Sequence, residues 1–361
     1  MSVYFSPHRV KLLGSGSALP GEPLSNEVLL ESLKQYSQAK SVRIAKRIAK
    51  KIGVENRHFT RDLNQAISHA SPSAPELCQS ALLSAAEEML NNGKTKDQIE
   101  DLQLDYLVGH TTSPHTLLPP NIAWVAEKLK HEKPYLELRQ ACTGFANALQ
   151  LVAPMINGDP NMKAIGIVGS ETGSVYFDAL TQGNEIEQLV NYMQMGDGAG
   201  AVIFGADDHS DESIISDIYM GHIGLDKQSG FYLEGGSRHP QCENNMNNFQ
   251  HNTKHVVEYG MQLFQAGLDA IYSRGYQESD FDFIIPHQAN GRMAKHIHKF
   301  LGIDVERIVV DADQVGNMGS AAIWYSFDKL RRSQKLKKGS KVLILGAEAT
   351  KYLYGGFVYQ H

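Results

Sequence analysis

Asp105–His110 reads DYLVGH, and 177 residues later Asp282–His287 reads DFIIPH. Each begins with an aspartate, runs through apolar β-formers to one small or rigid residue, and ends in histidine. The same shift carries Ala164–Glu171 (AIGIVGSE) onto Lys341–Glu348 (KVLILGAE), two apolar strands closing on glycine, a small residue and glutamate. It also carries the helix start at Cys142 (ACTGFANAL) onto the one at Gly319 (NMGSAAIWY). Three coincidences at one offset indicate an internal duplication.

Around these repeats, short apolar strand candidates at 105–109, 136–139, 164–168, 200–204, 282–285, 307–310 and 342–345 alternate with helical stretches at 75–91, 143–156, 254–273, 290–301 and 320–334. Alternation of this kind predicts an α/β chain with parallel sheets. The halves are 1–205 and 206–361. The asparagine-rich run Gly235–Asn252 has turn chemistry and reads as a surface loop.

Composition bounds the function. A chain of 361 residues allows about two domain-sized units, and 42% hydrophobic with 20% charged residues is ordinary for a soluble globular protein. A net charge of −6 argues against a nucleic-acid binder working through overall attraction to phosphate. No stretch of about 18 apolar residues predicts a membrane span, and the amino end has no secretory pattern. Cys78, Cys142 and Cys242 are an odd set without CxxC spacing, which fits reduced thiols in the cytoplasm and implies neither a disulfide framework nor a structural metal.

Cys142 stands where an extended run turns into a helix, in LELRQACTGFANALQL, 136–151. Helix N-termini lower thiol pKa values and so create nucleophiles, and Thr143 and Gly144 are small enough to leave the sulfur accessible. A buried cysteine packing as a small hydrophobe is an equal reading for that residue alone. Cys78, on the apolar face of a helix, reads as core. His287 follows FIIP at a strand end, where open α/β sheets place ligands. Asn317, in VGNMGSAA between Gly316 and Gly319, reads on its own as a turn former.

Taken together, ACTGF, PHQAN and GNMGSAA resemble the active-site motifs of ketoacyl-acyl carrier protein synthase III, a condensing enzyme of the thiolase fold. GDGAGA at 196–201, TTS at 111–113 and IGVENRHF at 52–59 fit the same family, and the similarity runs from KLLGSGSALP at Lys11 to the last strand. The glycines of GDGAGA do not have GxGxxG spacing and read as close packing.

The resemblance implies a thiolase-like duplicated αβαβα five-layer fold and a two-step acyl transfer. Cys142 takes an acyl group from a thioester; a malonyl thioester then loses carbon dioxide and its carbanion attacks the acyl-cysteine. His287 and Asn317 would hold the enolate oxygen, and backbone amides of Cys142 and Thr350 the acyl oxygen. No cofactor or metal is called for. Acyl-CoA or an acyl carrier protein would be the donor, a malonyl or 3-ketoacyl carrier the partner, and the assembly a homodimer.

The chain departs from the family pattern at its last loop, where a Gly-Gly-Gly-Phe turn falls on Ala349, Thr350, Lys351 and Tyr352; side chains at three former glycines would alter its conformation. Lys51 matches a commonly basic position of the coenzyme A region, and Arg47 replaces a tryptophan. A solvated face of an amphipathic helix, with Val42, Ala45, Ile48 and Ala49 inward, explains that segment equally. Arg292, Lys295 and Lys299 would form a basic face for an acidic carrier. Leu118 replaces a bulky phenylalanine that limits the acyl pocket across a dimer interface, which implies a medium-length or unusual starter. These departures point to a specialised branch serving a lipid-like secondary metabolite such as an alkylresorcinol or aryl polyene.

Other readings compete. Cys, His, Asn is also the order of papain-like proteases, but CGSCW is absent. A thiolase-fold acyltransferase could make an ester or amide without condensation. His251 and His255 have i, i+4 spacing, but NTK between them offers no glutamate base for a zinc hydrolase, and both read as surface residues. A non-catalytic scaffold would have no need of three reactive residues.

Overall fold

A computed structural model of the chain describes residues 2–64, 69–90, 104–176, 186–233 and 249–361. Most of the Gly235–Asn252 segment and Cys242 lie outside the described residues.

Ten strands form the large sheet: β1 (Val3–Phe5), β2 (Val10–Ala18), β3 (Tyr106–His110), β4 (Tyr135–Leu138), β5 (Ile165–Glu171), β6 (Gly198–Ala206), β7 (Ile214–His222), β8 (Phe283–Pro286), β9 (Lys341–Glu348) and β10 (Leu353–Gln360). Their spatial order is β8-β9-β10-β7-β2-β6-β5-β3-β4, with β1 on β7. The path is two sheets joined at a short seam, because β2 and β7 pair only through Val10↔Ile215 and Lys11↔Ile214.

The duplication reaches the register. Tyr106 lies opposite Ile165 in the parallel pair β3–β5, and Phe283 lies opposite Val342 in β8–β9, both partners moved by the same offset. Asp105 accepts the N–H groups of Lys163 (2.6 Å) and Ala164 (3.0 Å), and Asp282 accepts that of Lys341 (2.9 Å). In each half, then, an aspartate before the first strand holds the start of its neighbour.

Helices α1 (Asn26–Tyr36), α2 (Ala39–Ile52), α3 (Ala74–Leu90), α4 (Asn121–Leu129), α5 (Gly144–Gly158), α6 (Ile186–Gln194), α7 (Thr253–Tyr272), α8 (Met293–Leu301) and α9 (Ala322–Arg332) complete the layers. Leu82 of α3 and Val125 of α4 pack outside the first sheet with Val168 and Ile203. Leu263 of α7 and Ile297 of α8 pack outside the second with Ile284 and Leu343. Between the sheets, Phe145, Leu149 and Val152 of α5 and Trp324 and Phe327 of α9 share one core with Ile167, Val202, Ile344 and Phe357. The order is α-β-α-β-α, the five layers expected. A helix held between two sheets must be apolar nearly all round, as α5 is. Burying each such phenylalanine contributes about 1.5–3 kcal/mol.

Purely parallel sheets are not what forms. β2, β6, β7 and β10 run antiparallel to their neighbours; β2 and β10 escape the strand pattern because glycines interrupt their apolar runs, and β7 because Ser216 and Asp217 interrupt its own. The glycines of β2 admit a helix: a Cβ on Gly14 would come 2.1 Å from the Ala85 carbonyl oxygen, and one on Gly16 2.3 Å from that of Ala81. At 307–310 there is no strand, only a 3₁₀ turn (Val305–Arg307) and one bridge, Ile284↔Ile308. The boundary at 205/206 falls at the end of β6, yet β1 pairs with β7 and so lies in the second half's sheet.

Candidate active site

Cys142 sits between the end of β4 and the start of α5 and is 4% exposed. The next turn has no space for a side chain, since a Cβ on Gly144 would lie 2.6 Å from Nδ1 of His110. His287 follows β8; its N–H continues the parallel ladder to Leu345 O (2.7 Å), and its ring is buried with Nδ1 unpartnered among the described residues. Burial pushes its pKa down to about 4, so the imidazole is neutral at physiological pH.

Asn317 is held from both sides. Its N–H donates to Gln194 O (2.9 Å), and its carbonyl oxygen accepts from Gly196 N (3.0 Å). Its side-chain Oδ1 accepts the Gly319 N–H (3.0 Å), which leaves Nδ2 as a donor. Gly316 takes φ +72° and Gly319 φ +45°, a left-handed turn that glycine adopts without a Cβ penalty. A Cβ on Gly196 would meet Val315 O at 1.9 Å, so GDGAGA does close-pack, and what it packs against is the Asn317 turn. Asp197 in the same motif is fully buried and accepts Thr60 N, Thr60 Oγ1 and Ser174 N at 2.7, 2.7 and 3.0 Å.

Cys142, His287, Asn317 and Thr350 line one cavity of about 450 Å³, walled largely by apolar groups including Met195, Phe231, Val256, Leu263 and Phe264. In the loop after β9, Ala349, Thr350 and Lys351 have no positive φ; the left-handed residue is Tyr352, at φ +58°, whose buried ring meets Tyr259 edge to face with centroids 4.9 Å apart. Lys351 Nζ donates to Lys227 O (2.5 Å), away from the thiol. Among the described residues the Thr350 N–H donates to no other group, and that of Cys142 only to its own sulfur.

One expectation needs correcting. The amides that open α5 do not lower the Cys142 thiol overall: Thr143 N donates to Glu348 (3.0 Å) and Gly144 N to Ala141 O (3.0 Å), and the lowering by the Cys142 amide is outweighed. Burial, with Glu348 and Glu171 nearby, holds the thiol well above its ordinary value. Neither glutamate was singled out as a site residue, although both end the duplicated strands. Glu171 accepts Thr112 Oγ1 (2.9 Å), Ser113 Oγ (2.5 Å) and Ser320 Oγ (2.6 Å), which gives the TTS motif its role.

The remaining candidates lie elsewhere. Leu118 is 85% exposed and does not line the cavity of its own chain, whereas Leu117 does. Arg47 and Lys51 are exposed on α2, and Lys295 and Lys299 on α8; Arg292 joins the two by donating Nη2 to Lys50 O (2.8 Å). None of the five lines the cavity. His251 is not a surface residue: it ends the short strand Phe249–His251, outside the helix carrying His255, and lines the cavity. Among the described residues no group of histidine, cysteine and carboxylate side chains could hold a metal.

Burial pushes His110, His251 and His287 down to about 3, 4 and 4. In the unfolded chain these rings take up protons near pH 6.5, and in the native state they do not. Below that pH the unfolded state binds more protons, so stability falls as pH drops from about 6.5 towards 4. Thermal scans should show the melting midpoint declining over that window; a midpoint flat from pH 7 to pH 4.5 would contradict the burial of these rings.

Residues 136–222 match the 3-oxoacyl-[acyl-carrier-protein (ACP)] synthase III family, and residues 271–360 match the 3-oxoacyl-[acyl-carrier-protein (ACP)] synthase III C-terminal family. The chain is 28% identical over 349 residues to a beta-ketoacyl-[acyl-carrier-protein] synthase III of Desulfitobacterium hafniense, and 25% over 344 residues to that of Clostridioides difficile, covering 93% of each chain in both cases. Its fold superposes on 3-oxoacyl-(acyl carrier protein) synthase III from Pseudomonas aeruginosa with a TM-score of 0.77 at 24% identity, covering 98% of both chains. A tetronic acid condensing enzyme gives 0.79 at 21%, covering 98% of this chain and 100% of the other. A duplicated five-layer fold around a cavity lined by cysteine, histidine and asparagine defines a thiolase-fold enzyme. More narrowly, the chain belongs to the 3-oxoacyl-[acyl-carrier-protein] synthase III-like condensing enzymes.

Proposed function

We propose that the enzyme performs decarboxylative Claisen condensation of an acyl thioester with a malonyl carrier-protein thioester, in fatty-acid or polyketide biosynthesis, through an acyl group on Cys142. The observation that carries this reading is the meeting of Cys142, His287 and Asn317 on one largely apolar cavity. In the first step the Cys142 sulfur bonds to the thioester carbon, and the donor thiol leaves with the proton. In the second, the bond to the malonyl carboxylate breaks; its electron pair forms the enolate and then the new carbon–carbon bond, and Cys142 is released.

A neutral His287, with its proton on Nε2, and the Asn317 Nδ2 supply two donors for the enolate oxygen without abstracting a proton from carbon. The Cys142 and Thr350 amides serve the acyl oxygen. No cofactor enters this scheme. Intact-protein mass spectrometry after incubation with a panel of acyl thioesters tests it: one acyl group should appear, on Cys142. An enzyme that accepts none from coenzyme A or carrier donors, or carries it elsewhere, would end the proposal.

The acyl donor arrives on coenzyme A or a carrier, and the malonyl group on an acidic carrier protein that we dock on the basic face of α2 and α8, with Arg47 and Lys51 beside Arg292, Lys295 and Lys299. Since Arg292 also ties α8 to α2, the cleaner reversal is Lys295→Glu with Lys299→Glu. It should raise KM for malonyl carrier protein about tenfold by losing one or two charge pairs while leaving kcat in place; an unchanged KM would move the docking site. Homodimerisation is supported by the open edge of β4, where Tyr135 and Leu136 are 44% and 37% exposed, and by Leu117 and Leu118 at 79% and 85%. In such a dimer Leu118 would serve the partner's acyl pocket. No described helix is long and apolar enough to cross a membrane; we place the reaction in the cytoplasm, where a nucleophilic thiol stays reduced.

A further inference from the structure

The two halves exchange carboxylates at the active site. Thr143 opens the helix after the nucleophile, and Ser320 stands at the duplicated position of the second half. Thr143 donates N–H (3.0 Å) and Oγ1 (2.8 Å) to Oε2 of Glu348, which ends β9. Ser320 donates Oγ (2.6 Å) to Oε1 of Glu171, which ends β5. Each helix start is thus held by the last carboxylate of the other half's strand, and both carboxylates are buried, 3% and 4% exposed.

The arrangement is not symmetric in what it reaches. Glu171 turns its other contacts to Thr112 and Ser113, whereas Oε1 of Glu348 receives the Thr350 hydroxyl in a short hydrogen bond. One side chain therefore links the residue after the nucleophile to the loop whose Thr350 amide we assign to the acyl oxygen. Where glycines would leave such a loop to its own backbone, here a carboxylate fixes it. The cost is a negative group beside the sulfur.

We propose that Glu348 is a positioning residue that clamps the 349–352 loop onto the start of α5 and so holds its carboxylate beside Cys142. The inference rests on Cys142 being the nucleophile of the proposed condensation. The groups facing the thiol are Glu348 from β9, Glu171 from β5, His287 after β8, His110 at the end of β3 beneath Gly144, and Arg139 on the cavity wall. Both histidines are kept neutral by burial, and the two carboxylates push the thiol up. Of the two, Glu348 stands first in effect.

The test is the pH profile of Cys142 alkylation by iodoacetamide, read by intact mass, beside the condensation kinetics. Glu348→Gln keeps an acceptor oxygen for Thr143 and removes the charge, so the alkylation midpoint should move down by about one pH unit or more. Thr350→Val, at a half-buried position, keeps the charge and cuts the clamp. Its midpoint should stay put while kcat for condensation falls about tenfold, roughly the loss of one charge-assisted hydrogen bond. An unmoved midpoint in Glu348→Gln, or full kcat in Thr350→Val, overturns the proposal; if Glu348→Gln does not fold, the Thr350→Val result decides. Alkylation needs no substrate, so a wild-type enzyme that never becomes acylated refutes the condensation and leaves the clamp standing on its own profile.

Discussion

Cys142→Ser leaves the protein without a mass adduct after incubation with any acyl thioester, and condensation falls on the order of 10⁴- to 10⁶-fold, the scale seen when a covalent nucleophile is removed. The expectation follows from burial. Cys142 is 4% exposed, and its thiol lies among two carboxylates and neutral rings; a hydroxyl there is a far weaker nucleophile than a thiol. Cys142→Ala carries a second readout. His287 and Asn317 remain, so this variant should still release carbon dioxide from malonyl carrier protein. Decarboxylation without condensation marks a condensing enzyme; its absence would favour an acyltransferase that makes an ester or amide.

Asn317→Ala should lose on the order of 100- to 1,000-fold in kcat for condensation, or about 3–4 kcal/mol, the usual cost of one oxyanion donor. The turn around it is anchored by its own backbone to Gln194 and Gly196, so removing the carboxamide leaves the main chain tethered. The Gly319 N–H loses its acceptor, a smaller effect of about 1 kcal/mol. Acylation of Cys142, which uses other donors, should stay within a few-fold of wild type. A variant that condenses at the wild-type rate would remove Asn317 from the mechanism.

The duplication is legible because the aspartates, strand-end histidines and strand-end glutamates recur at one offset, and strand pairing keeps that register. Buried parallel strands such as β5 and β9 read clearly as continuous apolar runs. β2 and β10 do not, because their glycines look like turn formers until what packs against them is known, a helix for β2 and chiefly the neighbouring strands for β10. His251 lies just before the helix that the periodicity places at 254–273, and its turn into the cavity is not legible because periodicity says nothing about the segment outside the helix. The roles of Glu171 and Glu348 were hidden because their partners, Ser320 and Thr143, sit 149 and 205 residues away.

Local chemistry, the doubled pattern and the identities of the cysteine, histidine and asparagine are properties of the linear chain, since each rests on neighbours a few residues apart. Which groups face the sulfur is not. The ionisation of Cys142, the clamp on Thr350 and the close fit of Gly196 against Val315 arise from contacts across the two halves, and the field at a buried atom sums over everything packed around it, however far off in sequence.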